Sequence, residues 1–188
     1  MVRDRLKSTV AGCLICLALG GVAAGCGEHE PGVDEAAREG LTIDVAGIEY
    51  TVFITRQLNL AITPDQAYYD GPPPGADSAL FGVFITACNP EDAGETLYAT
   101  SDFVVEDNQG TEFEPVEVPE DNNFVYQPRE LLPGDCIPET GSVAATGAAA
   151  GSMLLFEFPL VSIENRPLEL TITGPAGSGE AKVVELDL

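Results

Sequence analysis

The chain has 188 residues, with 31 Asp and Glu against 8 Lys and Arg and a formal net charge of −23. Phosphate binding needs clustered Lys and Arg, so this balance excludes nucleic acid as a partner. Its only histidine, His29, lies near the start, and the chain has no Ser-His or Cys-His pairing to offer a hydrolytic nucleophile elsewhere.

The N-terminus carries Arg3, Arg5 and Lys7 against Asp4, and an uncharged apolar stretch follows from Val10 to Ala24. These are the n-region and h-region of an export signal, predicted over residues 1–25. Fifteen apolar residues fall short of the roughly 20 that span a bilayer. The stretch ends Val22-Ala23-Ala24-Gly25-Cys26-Gly27, which resembles the lipobox of bacterial lipoproteins, with Ala23 where that motif usually has Leu. The resemblance implies acylation of Cys26 and anchoring on the outer face of the bacterial membrane. Ordinary cleavage after Ala24 is the alternative.

Cysteine arithmetic bears on the choice. Cys13 and Cys16 leave with the signal; if Cys26 is lipidated, only Cys88 and Cys136 remain, an even number as an oxidising compartment favours. Losing residues 1–25, with three basic residues and one acidic, takes the formal charge from −23 to −25. Residues 26–40 are acidic, hold Pro31 and glycines, and show no apolar periodicity. They are expected to form a disordered tether, with a coil of that length spanning roughly 20 Å root-mean-square.

From Leu41 to Leu188 the apolar pattern has a period near two, and one all-β domain is expected. Leu168, Leu170 and Ile172 alternate with Glu169, Thr171 and Thr173, and Val184, Leu186 and Leu188 alternate with Glu185 and Asp187. LFGVFITAC (80–88) and MLLFEF (153–158) are apolar on nearly both faces and read as central strands. Asp107-Asn108-Gln109-Gly110, Leu132-Pro133-Gly134-Asp135 and Gly174-Pro175 punctuate the pattern as turns. About seven or eight strands, with no helical pattern after residue 40, predict a two-sheet antiparallel β-sandwich. A Cys88–Cys136 bridge would close a loop of about 49 residues, worth on the order of 4 kcal/mol; two buried, unlinked cysteines are the alternative.

With the strands placed, four stretches carry a likeness: LFGVFITACNP (80–90), SDFVVEDNQGTEFEPV (101–116), LLPGDCIPETGSVAATG (131–147) and GSMLLFEFP (151–159). From about Ile48 to Leu188 the chain resembles immunoglobulin-like domains of unknown function on secreted bacterial lipoproteins, cousins of the mycobacterial secreted immunoprotective antigen. The resemblance implies an immunoglobulin-like sandwich in the cell envelope and carries over no active-site residue.

Other chemistry finds little footing. Gly177-Ser178-Gly179 lacks the G-x-S-x-G spacing of a nucleophile elbow, and GAAAGS at 147–152 lacks a phosphate-loop Lys. A single histidine outside the domain removes cupredoxin-type copper and Cys/His zinc sites. No cofactor is expected. Calcium, which prefers oxygen, could draw on Glu106, Asp107 and Asn108, or on Glu120, Asp121, Asn122 and Asn123. Plain turn chemistry explains both clusters more simply. The insert Pro64 to Ala79, with Tyr68, Tyr69, Pro72, Pro73 and Pro74, is the candidate recognition loop, since stiff exposed aromatics lose little entropy on binding. Alternatively, both tyrosines pack back on the sandwich.

The expected function is a non-enzymatic binding or interaction module, tethered by lipid and engaging an envelope protein, a wall polymer or a small ligand. The alternatives are an accessory carbohydrate-active domain using two carboxylates and a calcium-binding structural spacer.

Overall fold

The structure is a computed structural model that describes residues 30–188. The expected export signal (1–25), Cys26 and residues 26–29 of the expected tether therefore lie outside the described residues. The strands are β1 (Ala37–Arg38), β2 (Thr42–Val45), β3 (Ile48–Gln57), β4 (Ser78–Cys88), β5 (Leu97–Tyr98), β6 (Asp102–Asp107), β7 (Glu112–Phe113), β8 (Glu130–Leu131), β9 (Cys136–Ile137), β10 (Ser152–Pro159), β11 (Leu168–Thr173) and β12 (Ala181–Leu186). Two single-turn helices, α1 (Val143–Thr146) and α2 (Leu160–Glu164), lie between them, where no helix was expected. Seven of the described strands run four residues or more, matching the periodicity; the others are two-residue pairings that periodicity cannot register.

Ten of them form a two-sheet β-sandwich, and β5 and β8 pair separately. One sheet has the order β1-β12-β11-β6-β7, the other β10-β4-β3-β2, and β9 continues beside the end of β4. The β2–β3 hairpin turns through Ala46 and Gly47, both at positive φ, as a right-twisted two-residue connection requires. Between the sheets lie Phe81, Val83 and Ile85 of β4, Leu154, Phe156 and Phe158 of β10, Leu168, Leu170 and Ile172 of β11, and Tyr50 of β3, all buried.

The other face of β4 explains why its sequence has no polar alternation. Leu80 and Phe84, with Met153 and Leu155 of β10, form a second apolar cluster with Leu58, Tyr68 and Tyr69. β4 lies between β10 and β3 as expected of a central strand. β10 is buried on both faces yet ends its sheet. Its outer edge is covered by irregular chain, through hydrogen bonds from Val116 N to Leu155 O (2.6 Å), from Tyr126 N to Met153 O (2.9 Å) and from Met153 N to Phe124 O (2.6 Å).

The expected tether requires a correction, because residues 30–40 are ordered against the sandwich. β1 pairs in parallel with β12, Ala37 opposite Val184 and Arg38 opposite Glu185. Val183 N donates to Gly32 O at 3.0 Å. Lys182 occupies a core-facing position of β12, its side chain only 7 % exposed, and its ammonium pairs with Glu30. A buried ammonium without a partner is costly, so this acidic segment is held where composition alone suggested coil. Glu39 spans both sheets, one carboxylate oxygen accepting from Thr55 N (3.2 Å) and the other from Asp187 N (3.1 Å).

Cys88 and Cys136 sit directly opposite each other in the β4–β9 pairing, bonded, with Cα atoms 4.1 Å apart. This is the bridge that the cysteine count suggested. Replacing both cysteines by Ser is expected to lower unfolding stability by about 4 kcal/mol through the lost loop constraint. Urea unfolding of oxidised wild type and the double variant measures the difference, and a difference under about 1 kcal/mol would refute the assignment.

Candidate functional site

The insert between β3 and β4 is placed differently from a recognition loop. Tyr68 and Tyr69 are 3 % and 8 % exposed. Tyr68 packs edge-on against Phe84 (5.0 Å between centroids) and Phe124 (4.8 Å). Its carbonyl accepts from Asn122 Nδ2 at 2.9 Å. A Cβ on Gly71 would come within 2.3 Å of the Tyr69 ring, so only glycine fits beneath it. The reason is the outer face of β4: left bare, Leu80 and Phe84 would expose a large apolar patch, and burying each tyrosine there contributes on the order of 2 kcal/mol. Pro72 and Pro73 are exposed and Pro74 is half-buried, so of the five residues singled out for recognition only the prolines reach solvent.

An ion pair fastens the same insert. Asp65, buried in a short 3-10 turn (Asp65–Ala67), accepts from Arg56 Nη2 at 2.5 Å through Oδ1 and from Asn59 N at 2.8 Å through Oδ2. The Arg56 guanidinium also lies over the Tyr68 and Phe84 rings, at 5.5 and 5.7 Å. Arg56 foremost, through its hydrogen bond, holds the Asp65 carboxyl below the usual carboxylate range. In the two clusters considered for calcium, Asp107 and Asn122 hold turns. Asp107 Oδ1 accepts from Gln109 N (2.9 Å) and Thr111 N (3.0 Å), and its Oδ2 from Asn165 Nδ2 (3.3 Å). Asn108 Nδ2 donates to Arg166 O at 2.5 Å, Asn122 Oδ1 accepts from Phe124 N at 2.9 Å, and Asp121 is exposed. Among the described residues no three acidic, Cys or His groups converge as metal ligands.

Glu106 belongs to a feature that sequence reading missed. On the outer face of the first sheet, Glu185, Glu169, Glu106 and Glu112 stand opposite one another on β12, β11, β6 and β7. Arg38 closes one end of the row, 3.0 Å from Glu185. Alternation places Glu169 and Glu185 on the wet face; only strand order and register reveal the row.

Two clefts lie at the flank where irregular chain meets β10. One, of about 280 Å³, is polar and is lined by Glu120, Asn123, Gln127, Arg129, Glu139 and Ser142 among others. The second, of about 220 Å³, is an apolar recess walled by Phe103, Val116, Val118, Tyr126, Met153 and Leu155 among others, with Glu117 also on its lining. Tyr126 is fixed there by a buried network: its hydroxyl donates to Thr100 O at 3.0 Å, while Thr100 N donates to the Tyr50 hydroxyl at 2.8 Å. Burial pushes both phenols above their ordinary range, so they remain neutral hydrogen-bonding groups.

These features define an all-β sandwich with a disulfide, a docked N-terminal segment, and a polar and an apolar cleft side by side. No protein-family model and no curated protein matches the chain. Among solved structures it is similar to ycdA of Bacillus subtilis, described as a candidate lipoprotein, at 13% identity with a TM-score of 0.48, over 78% of this chain and 38% of that one. It is also similar to the yjhA protein of Bacillus subtilis at 13% identity with a TM-score of 0.46, over 80% of this chain and 98% of that one. The chain thus spans well under half of ycdA.

Two outcomes are expected from these pairings. Asp65→Asn is expected to cost about 2 kcal/mol at neutral pH. A folded carboxyl held below its unfolded value stabilises above that unfolded value, near 3.8, and loses the contribution as pH falls through the lowered folded value. Urea unfolding at neutral pH and at about pH 2.5 should show the wild-type advantage shrinking in acid; an advantage unchanged by pH would refute it. Glu169→Gln, between two like charges, is expected to raise stability by about 0.5 kcal/mol at low salt, an effect that high salt removes. A loss of stability on that substitution would count against the row as a repulsive one.

Proposed function

We propose that this chain is an exported, lipid-anchored cell-envelope protein whose sandwich is a non-enzymatic binding module. The export signal, the small residues before Cys26 and the pairing of the two remaining cysteines support the anchoring. The observation that carries the binding reading is the apolar recess beside β10, which is walled by aromatic and aliphatic side chains, among them the hydrogen-bonded Tyr126. Such a recess suits an apolar side chain of an envelope partner or a small apolar ligand. The histidine base that common nucleophilic hydrolases use does not occur among the described residues.

A second reading has its own observation. Glu120 and Glu139 both line the polar cleft, and two carboxylates across a cleft are the minimal apparatus of glycoside hydrolysis.

A photo-crosslinking residue at Glu117, on the recess lining, should capture a partner in the intact envelope, identified by mass spectrometry, whereas one at exposed Gln109 should not. Equal capture from both positions would sink the binding reading. Release of wall-polymer fragments that disappears in the Glu120→Gln, Glu139→Gln double variant would establish the hydrolytic one. Cys26→Ala should free the protein into the medium or leave it unprocessed, and a processed variant that stays firmly membrane-bound would refute lipid anchoring.

A further inference from the structure

We propose that the docked segment 30–38 sets which end of the sandwich faces the membrane; the inference rests on the anchoring at Cys26 proposed above. The end carrying the 174–180 loop, the β2–β3 hairpin and the disulfide lies against the lipid surface, and the proline-bearing insert stands at the far end.

The ends are assigned by register. In the first sheet Ala181, Thr173 and Asp102 are aligned, and in the second the β2–β3 hairpin and Cys88 close the same end. Ala46 N, in the β2–β3 hairpin, donates to a Glu180 carboxylate oxygen at 2.7 Å, joining the two sheets there. β1 runs parallel to β12, so the chain before Ala37 comes from that end, where Glu30 meets Lys182 and Gly32 meets Val183. Gly32 is seated closely. A Cβ there would lie 3.2 Å from Lys182 Cβ and 3.3 Å from Val183 O, at φ +85°.

Lengths decide the outcome. Four residue steps from Cys26 to Glu30 reach at most about 14 Å, whereas β4, at eleven residues, is about 36 Å long. While Glu30 is held on Lys182, the domain cannot stand inverted on its far end with Cys26 in the lipid. Were residues 26–40 a free coil of roughly 20 Å root-mean-square span, either end could approach. The near end presents exposed Glu91, Asp92, Glu95, Asp102 and Glu180, so it faces an anionic bilayer without entering it.

The test uses lipidated protein from the exporting membrane, reconstituted in vesicles of phosphatidylcholine and phosphatidylglycerol with a nitroxide-headgroup lipid. A fluorophore is attached in one variant at Ala176→Cys, in the near loop, and in another at Ala76→Cys, in the far insert; both sites are exposed. Quenching is expected to be several-fold stronger at 176 than at 76. Inserting about twelve Gly and Ser residues ahead of Glu30, adding roughly 20 Å of root-mean-square reach, should erase that contrast and leave the melting temperature unchanged. Equal quenching at the two sites without the insertion, or stronger quenching at 76, overturns the orientation while leaving anchoring intact. Failure of the protein to float with the vesicles overturns the anchoring instead.

Discussion

The rest of the structure follows from one constraint: β4 is apolar on both faces and must be covered twice. One face is met by the opposing sheet, as in any sandwich. The other is met by chain that belongs to no sheet, and this requirement places Leu58, Tyr68 and Tyr69 of the insert, together with half-buried Val116, Val118 and Phe124. The same irregular chain seals the edge of β10 by single hydrogen bonds rather than a ladder. An edge closed in that way leaves gaps between its attachments, and both clefts open beside it. The candidate binding surfaces are thus a by-product of how a doubly apolar strand is packed.

Scarce positive charge is spent on position. Arg56, Arg38 and Lys182 each meet a carboxylate on a different part of the chain, and Arg129 Nη2 donates to Cys136 O beside the disulfide at 2.9 Å. Two of these contacts, Arg56 with Asp65 and Lys182 with Glu30, tie segments without regular structure to strands. What remains on the surface is acidic, including a row of four in-register glutamates that the sheet tolerates because its outer face is wet and screened.

Much of the fold was legible in the sequence because strand periodicity is local. Leu168, Leu170 and Ile172 gave β11 directly, and the unbroken run 80–88 gave β4 with its burial on both sides. A strand apolar on both faces also implies a second covering layer, and the insert containing Tyr68 and Tyr69, whose packing back on the sandwich is one of the two readings its sequence allows, is the adjacent chain that supplies it. The docking of residues 30–40 was less accessible. Lys182 broke the apolar alternation of β12, so the strand appeared to begin at Val184, and the partner that makes a buried lysine tolerable lies 152 positions away. The glutamate row depends on strand order, which no local pattern encodes. The clefts arise from chain with no period, so nothing in the sequence outlined them.

The parallel pairing of β1 with β12 has a mechanical side. A pull on the chain ahead of Glu30, with the far end of the sandwich held, runs along the strand axis. The β1–β12 hydrogen bonds, the Gly32 contact, the Lys182 ion pair and the Glu39 bridge then bear load together in shear, rather than opening one at a time as in a peeled hairpin. Force reaching the domain from its N-terminal side therefore passes into β12 and on to β11 and β6, and through Glu39 into β3 of the other sheet.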